Sequence, residues 1–198
     1  MISDTHGKRP VLPVGDVLVH CGDLTHLGSF RELRDQVAWL QSLDFAHLVF
    51  VGGNHDVALG NLAAKGLEEQ IRKLLFGRIR YLRDSGVTID GIRFWGSPWI
   101  PPYAGEFNLP EKELRGKFAL IPERTDVLVT HGPPAGVLDG GMGSPSLASE
   151  VQRVKPQIHC FGHVHDHRGE EARGGTRFFN CAVIPYVISL AAAQSAHG

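Results

Sequence analysis

Asp4 with His6, Asp23, Asn54 with His55 and Asp56, His131, and His163 with His165 carry the groups of this chain best suited to chemistry. They are imidazoles, carboxylates and an amide oxygen, with no thiolate among them. Such donors suit manganese, iron, zinc or nickel and disfavour a closed, cysteine-rich zinc site. The set is larger than one tetrahedral ion requires. It suffices for two ions sharing a carboxylate, an arrangement that clamps the attacking and leaving oxygens of a phosphoryl displacement. Each piece has a plainer reading. Asp-Thr-His and Gly-Asp form turns, and Asn-His-Asp can cap a helix. His163 and His165 are harder to explain away, because residues two apart in extended chain project the same way. The 11 histidines among 198 residues point in the same direction, histidine being the commonest metal ligand.

What unites these residues is where they stand. Val17 to Cys21 runs into Gly22-Asp23, and Leu48 to Val51 runs into Gly52-Gly53-Asn54-His55-Asp56. Val127 to Thr130 runs into His131-Gly132-Pro133-Pro134, and Ile158 to Phe161 into Gly162-His163-Val164-His165. Short apolar runs rich in β-branched and aromatic residues, closed by glycine or proline, are buried strands. In α/β sheets, ligands bind beyond the carboxyl ends of strands, where all these polar residues fall. Recurrence at successive strand ends is what turns individually bland motifs into one site.

Other elements follow from spacing. Apolar residues at Phe30, Leu33, Val37, Leu40 and Leu43 predict a helix capped by Ser29. A second helix is expected over Ala58 to Phe76. Strand, helix, strand predicts a parallel pair with a right-handed crossover. Asp90-Gly91 between Val87-Thr88-Ile89 and Ile92-Arg93-Phe94-Trp95 predicts a tight β-hairpin. The tail reads as antiparallel strands, Thr176 to Val183 and, after Pro185, Tyr186 to Leu190, with a frayed end from Ala191. The expectation is a mixed α/β architecture, one domain over 1–198, with helices outside two stacked sheets. His20 and His159 fall inside apolar runs and read as core groups; His47, His167 and His197 read as surface or loop residues. The role of His26 stays open.

Composition narrows the partners. A formal net charge of −1 and a pI near 6.8 give no global field toward long nucleic acid or an anionic membrane. No apolar stretch approaches the ~18 residues of a membrane span, and the N-terminus lacks a signal-peptide pattern. Cys21, Cys160 and Cys181 are odd in number, without paired spacing, and lie in apolar runs. They read as reduced thiols of an intracellular, cytoplasmic protein.

Taken in order, Asp4-x-His6, Gly22-Asp23, Gly53-Asn54-His55-Asp56, His131 and Gly162-His163-x-His165 resemble the calcineurin-like metallophosphoesterase signature. Ser3-Asp4-Thr5-His6, Gly22-Asp23-Leu24-Thr25, Gly96-Ser97-Pro98-Trp99 and Thr130-His131-Gly132-Pro133-Pro134 resemble the MPPED-like (metallophosphoesterase domain-containing) branch. The resemblance implies a four-layer αββα sandwich of two mixed β-sheets flanked by helices. It implies two divalent ions, manganese foremost with iron, zinc or nickel as alternatives. One would be held by Asp4, His6, Asp23 and His165, the other by Asp23, Asn54, His131 and His163. His55 would contact the phosphate and protonate the leaving oxygen, and Asp56 is expected to orient that imidazole. The implied substrate is a small phosphoester, foremost a phosphodiester such as a cyclic nucleotide. A phosphomonoesterase on the same site and a non-catalytic scaffold of the same fold are the alternatives. Trp99, Tyr103 and Phe107 either form a wall that stacks a base or anchor their loop by packing.

One departure stands out. Only Met1-Ile2-Ser3 precede Asp4, where this fold has a full apolar first strand. The expectation is a truncated chain or a misassigned start, with Met1 an internal core residue, and an in-frame apolar run upstream would support it.

Overall fold

The computed structural model describes residues 1–60, 70, 73–75 and 77–190. Two sheets lie at its centre. The first has the order β1 (Val17–His20), β2 (His47–Phe50), β3 (Ile79–Tyr81), all parallel. The second has six strands. These are β4 (Ser85–Ile89), β5 (Ile92–Ser97), β6 (Val127–Thr130), β7 (Ile158–Phe161), β8 (Gly169–Arg173) and β9 (Thr176–Asn180). Their order is β4-β5-β6-β7-β9-β8, parallel through its middle and antiparallel at both edges.

Side-chain alternation explains why these strands read as continuous apolar runs. Val19, Cys21, Val49 and Val51 of the first sheet join Phe94, Val127, Val129, Ile158 and Cys160 of the second in one buried cluster between the sheets. Their neighbours Leu18, Leu48, Phe50, Leu128 and Phe161 point the other way, into a cluster with the helices. Both faces of these central strands are therefore covered, which is why apolar residues predominate along them. Helix α1 (Phe30–Ser42) supplies Leu33, Val37 and Leu40 to the outer cluster, and Ser29 Oγ accepts the Glu32 N–H at its N-cap. On the other sheet, α3 (Glu111–Phe118) and α4 (Pro145–Val154) supply Leu114, Phe118, Leu147 and Val151. The result is the expected αββα layering.

Asp90 and Gly91 turn the β4–β5 hairpin with φ of 49° and 80°, the pair of left-handed residues that a two-residue turn of this twist demands. Of the helix expected over Ala58 to Phe76, α2 (Val57–Gly60) is described; most of the rest, like the tail from Ala191, lies outside the described residues. Two readings of the tail need correction. Tyr186 to Leu190 is not a strand: Tyr186, Ile188 and Leu190 pack against the inter-sheet cluster without joining a ladder. The strand that pairs antiparallel with β9 is instead β8, joined to it through Gly174-Gly175 with φ of 61° and 92°. Its Gly-Glu-Glu-Ala-Arg sequence shows no apolar alternation because it is an exposed edge, where charge discourages further pairing.

At the chain's start, Ile2 bridges His20 and Ser3 bridges Ala182, so these two residues stitch β1 to the segment after β9. The first strand amounts to those bridges. Beside Met1 a cavity of about 480 Å³ opens between the sheets, lined by residues including Val17, Val19, Phe94, Val127 and Ile188. Among the described residues no helix is long and apolar enough to cross a membrane.

Candidate metal centre

Every apolar run ends at the same side of the two sheets, and the polar residues that follow converge there. The backbone is bent to deliver them: Asp4, Asp23 and His163 adopt φ of 57°, 54° and 70°, and His6 45°. Left-handed conformations at non-glycine residues are strained, and several together mark a site whose geometry the surrounding fold imposes. Asp4, His6 and His165 bring ligand atoms within 4.8 Å of one another, and so do Asp4, Asp23 and His131. The Asp23 carboxylate lies between the groups, with Oδ2 3.8 Å from His6 Nε2 and Oδ1 3.4 Å from His131 Nε2. Asn54 Oδ1 is 3.0 Å from that same His131 nitrogen. The His163 ring stands alongside, 5.0 Å from the His131 ring, while its backbone N–H donates to Asp4 Oδ2 at 3.0 Å.

The donor chemistry fits a cation. His131 Nδ1 lies 3.0 Å from the carbonyl of Cys21, which only accepts, so Nδ1 carries a proton. Nε2 then faces Asn54 Oδ1 and Asp23 Oδ1, both acceptors, and either a second proton or a metal ion must lie between them. On the other side His6 Nε2 and His165 Nε2 approach to 3.4 Å beside the Asp4 carboxylate, and the buried His6 Nδ1 has no hydrogen-bond partner. A protein orphans a buried ring nitrogen rarely, and metal sites are one reason for it.

Close approach also fixes two glycines. A Cβ on Gly162 would fall onto Asp4 Oδ2 and Ser3 Oγ, and one on Gly53 onto Asp23 Oδ1 and the Asp23 backbone nitrogen. Gly162→Ala is expected to cost roughly 2–4 kcal/mol through displacement of the buried Asp4 carboxylate. Thermal melting with and without chelator checks this, and metal content should fall together with stability.

Comparison with known proteins agrees with this geometry. The family model for calcineurin-like phosphoesterases matches residues 2–167, a span that includes every residue of the cluster. The chain belongs to this family. It is 38% identical over 211 residues to human metallophosphoesterase domain-containing protein 1, covering 92% of this chain and 64% of the human protein. The chain thus spans less than two thirds of that relative. It is 35% identical to the Caenorhabditis elegans UPF0046 protein K07C11.7, covering 91% of this chain and 68% of that protein. The crystal structure of TT1561 from Thermus thermophilus superposes with a TM-score of 0.56 at 14% identity, covering 83% and 76% of the two chains. That likeness concerns the fold. The family's chemistry is metal-dependent phosphoester hydrolysis, and the oxygen and nitrogen donors assembled here are of the kind it uses.

Electrostatics keep these family residues ready to ligate. Burial pulls His6 down to about 4 and His163 to about 3, so both imidazoles are neutral, with lone pairs available, at neutral pH. Burial pushes Asp23 up to about 6 against the opposing pull of His131, with Asp4 and Asp56 adding to the rise. Burial would raise Asp4 too, but the hydrogen bond to His165, the charge of His131, Ser3 and the His163 N–H hold it well below the usual carboxylate range. Crowded carboxylates whose ionisation is opposed by burial are those a cation would stabilise most.

One expected role is corrected. Asp56 does not touch the His55 ring. Its carboxylate accepts the N–H groups of Leu24, Thr25 and Gly53 at 3.3, 2.9 and 2.9 Å and the Thr25 hydroxyl at 2.7 Å. It therefore lashes the loop of Asp23 to the loop of Asn54 from beneath. The His55 ring is held instead by the His26 carbonyl, 2.8 Å from Nδ1. His26 was left open by its sequence context; its ring stacks on that of His55 at 6.0 Å and 16° and completes a group with His6. Its loop is set by Glu32, whose carboxylate accepts the N–H groups of His26, Leu27 and Gly28. The Ser29-x-x-Glu32 capping pattern was the one sequence signal for this loop, though a capping box directs Glu to the cap residue, not to those before it. His20 and His159 are core groups as expected, bonded to Thr5 Oγ1 at 3.1 Å and Thr130 Oγ1 at 2.8 Å.

Proposed function

We propose that this protein is a phosphodiesterase working through two divalent ions, manganese foremost. Asp4, His6, Asp23 and His165 would hold one ion, and Asp23, Asn54, His131 and His163 the other. The observation that carries this reading is the Asp23 carboxylate, whose two oxygens face histidines on opposite sides, as a bridging ligand requires. Bound there, the ions would supply water activated at neutral pH and neutralise charge on the phosphoryl oxygens.

The chain's own residues supply the rest. The His26 carbonyl takes the His55 Nδ1–H and leaves Nε2 as the nitrogen that, when the ring carries a second proton there, gives it to the departing oxygen and returns to the neutral Nδ1–H form, a step worth roughly 10²–10⁴-fold. Asp56 acts at one remove, by keeping the Asp23 and Asn54 loops in register. The mouth is an open depression of about 540 Å³ lined by His6, Lys8, His26, His55 and His165. Among these described residues, Lys8 is the single permanent cation. Beyond the charge of the ions themselves, which either ester would meet, so little protein-borne positive charge favours the monoanion of a diester, such as a cyclic nucleotide, over the dianion of a monoester. A small phosphoester in the cytoplasm is the partner this charge balance fits, and the free, buried Cys21, Cys160 and Cys181 agree with a reducing compartment.

The test is hydrolysis of bis-p-nitrophenyl phosphate beside p-nitrophenyl phosphate, with Mn²⁺ and with chelator. Metal-dependent cleavage faster for the diester supports the reading. A faster monoester reaction moves the assignment to a phosphomonoesterase. Neither reaction from folded, metal-loaded protein leaves the scaffold.

A further inference from the structure

The loop between Ser97 and Pro110 carries Trp99, Tyr103 and Phe107, and the structure separates them. Trp99 and Phe107 are buried, with 9% and 3% exposure, and pack edge to face at 5.7 Å. Trp99 Nε1 donates to the Asp84 carboxylate, at 2.9 and 2.8 Å to its two oxygens, and the Arg83 guanidinium lies over both rings. Backbone bonds secure the loop further. Ile100 N–H donates to the Phe107 carbonyl, and Glu106 N–H donates to the carbonyl of Asn54 at 3.0 Å. Two of the aromatics are therefore anchors, and the loop is tied directly to the candidate ligand Asn54.

Tyr103 lies between those anchors and behaves differently. It is 55% exposed, and its ring meets the His163 ring at 4.9 Å and 86°. The imidazole contacts show which side of the site this is. His6 contacts His26, His55 and His165, whereas His163 contacts His131 and Tyr103. Tyr103 thus flanks the His131–His163 side and not the His6–His55 side, where the proton donor stands. A large ring left in water on a loop fixed at both ends can grip a ligand with little further ordering.

We propose that Tyr103 determines specificity by stacking on a planar aromatic or heteroaromatic group of the ester, such as a nucleobase, on the side of the site away from His55. This rests on the phosphoester reading of the site. Stacking on an aromatic side chain tolerates any base, because every base presents a π-face. The geometry therefore selects a class of substrate, flat-ringed phosphoesters over alkyl ones, without selecting one base.

Calorimetric titration of the Mn²⁺-loaded protein with AMP and with inorganic phosphate tests this independently of turnover. AMP is expected to bind the native protein about tenfold more tightly than phosphate. Tyr103→Leu should erase that advantage and leave phosphate binding unchanged, while Tyr103→Phe, which keeps the ring, should retain it. Equal AMP affinity in the native and Tyr103→Leu proteins would overturn the proposal and leave the site reading intact. If AMP binds the native protein no more tightly than phosphate, the stacking proposal is overturned as well; if that protein in addition cleaves no phosphoester, the phosphoester reading fails with it.

Discussion

His55→Ala is expected to lower metal-dependent diester hydrolysis by roughly 10²–10⁴-fold, the range for loss of a positioned general acid, while the bound metal stays at its native level. The two halves of this expectation have separate origins. The His55 backbone N–H donates to Asp23 Oδ1 at 2.9 Å, a bond that alanine keeps, so the Asp23 carboxylate should not move. The ring is held away from that carboxylate by the His26 carbonyl and is lost alone. Steady-state rates on an alkyl phosphodiester, whose departing oxygen must be protonated, paired with metal analysis of the same preparation, give the answer. A rate within a few-fold of native would remove His55 from the chemistry. Loss of an ion together with activity would make it a ligand, a role the group formed by His6, His26 and His55 makes worth checking. A leaving group that needs no protonation should also soften the defect, so the variant should lose less on p-nitrophenyl than on alkyl esters.

Apart from Asp4 and His6, which only Met1-Ile2-Ser3 precede, the residues that meet at the site could be collected from sequence because each follows an apolar run, and strand ends in a layered α/β fold share one edge. Asp4, His6, Asp23, Asn54, His131 and His165 all arrive there. What sequence could not assign is which group serves which. Asp56 sits next to His55 in the chain, and adjacency made it the natural orienter of that ring. In the fold, a sharp turn sends the two side chains apart, and Asp56 goes to backbone N–H groups from residues around 24 and 53. Such hydrogen bonds join segments far apart in sequence and leave no pattern in side-chain types. His26 was missed as the holder of His55 for a related reason, since its backbone carbonyl makes the contact and any residue has one. The edge strand Gly169–Arg173 escaped because exposed edges are selected for charge rather than alternation. The aromatic loop was legible as a set of rings near the site, but only burial separates the anchors Trp99 and Phe107 from the exposed Tyr103.

Asp23→Asn separates stability from function. In chelator this variant is expected to melt at or above the native temperature, and in Mn²⁺ it should fail to gain what the native protein gains. Asp23 is buried with Asp4 and Asp56 close enough to oppose its ionisation, and burial leads those effects in pushing its carboxyl up to about 6. A metal-free native protein must therefore carry a carboxylate where charge is disfavoured, and the isosteric amide relieves this while keeping an oxygen for the His55 N–H. With metal the balance reverses. An ion that binds only the folded state at about 100 times its dissociation constant stabilises by about 2.7 kcal/mol, and two such ions double that. For a chain of this size the shift corresponds to a melting temperature on the order of 10 °C higher. An amide that cannot bridge should forfeit most of this, together with the activity. Differential scanning calorimetry of both proteins in chelator and in Mn²⁺ reads all four states. A chelated variant several degrees below native would mean that Asp23 holds the fold together, not the metals. Equal metal-dependent shifts in the two proteins would remove Asp23 from the bridge and the dinuclear reading with it.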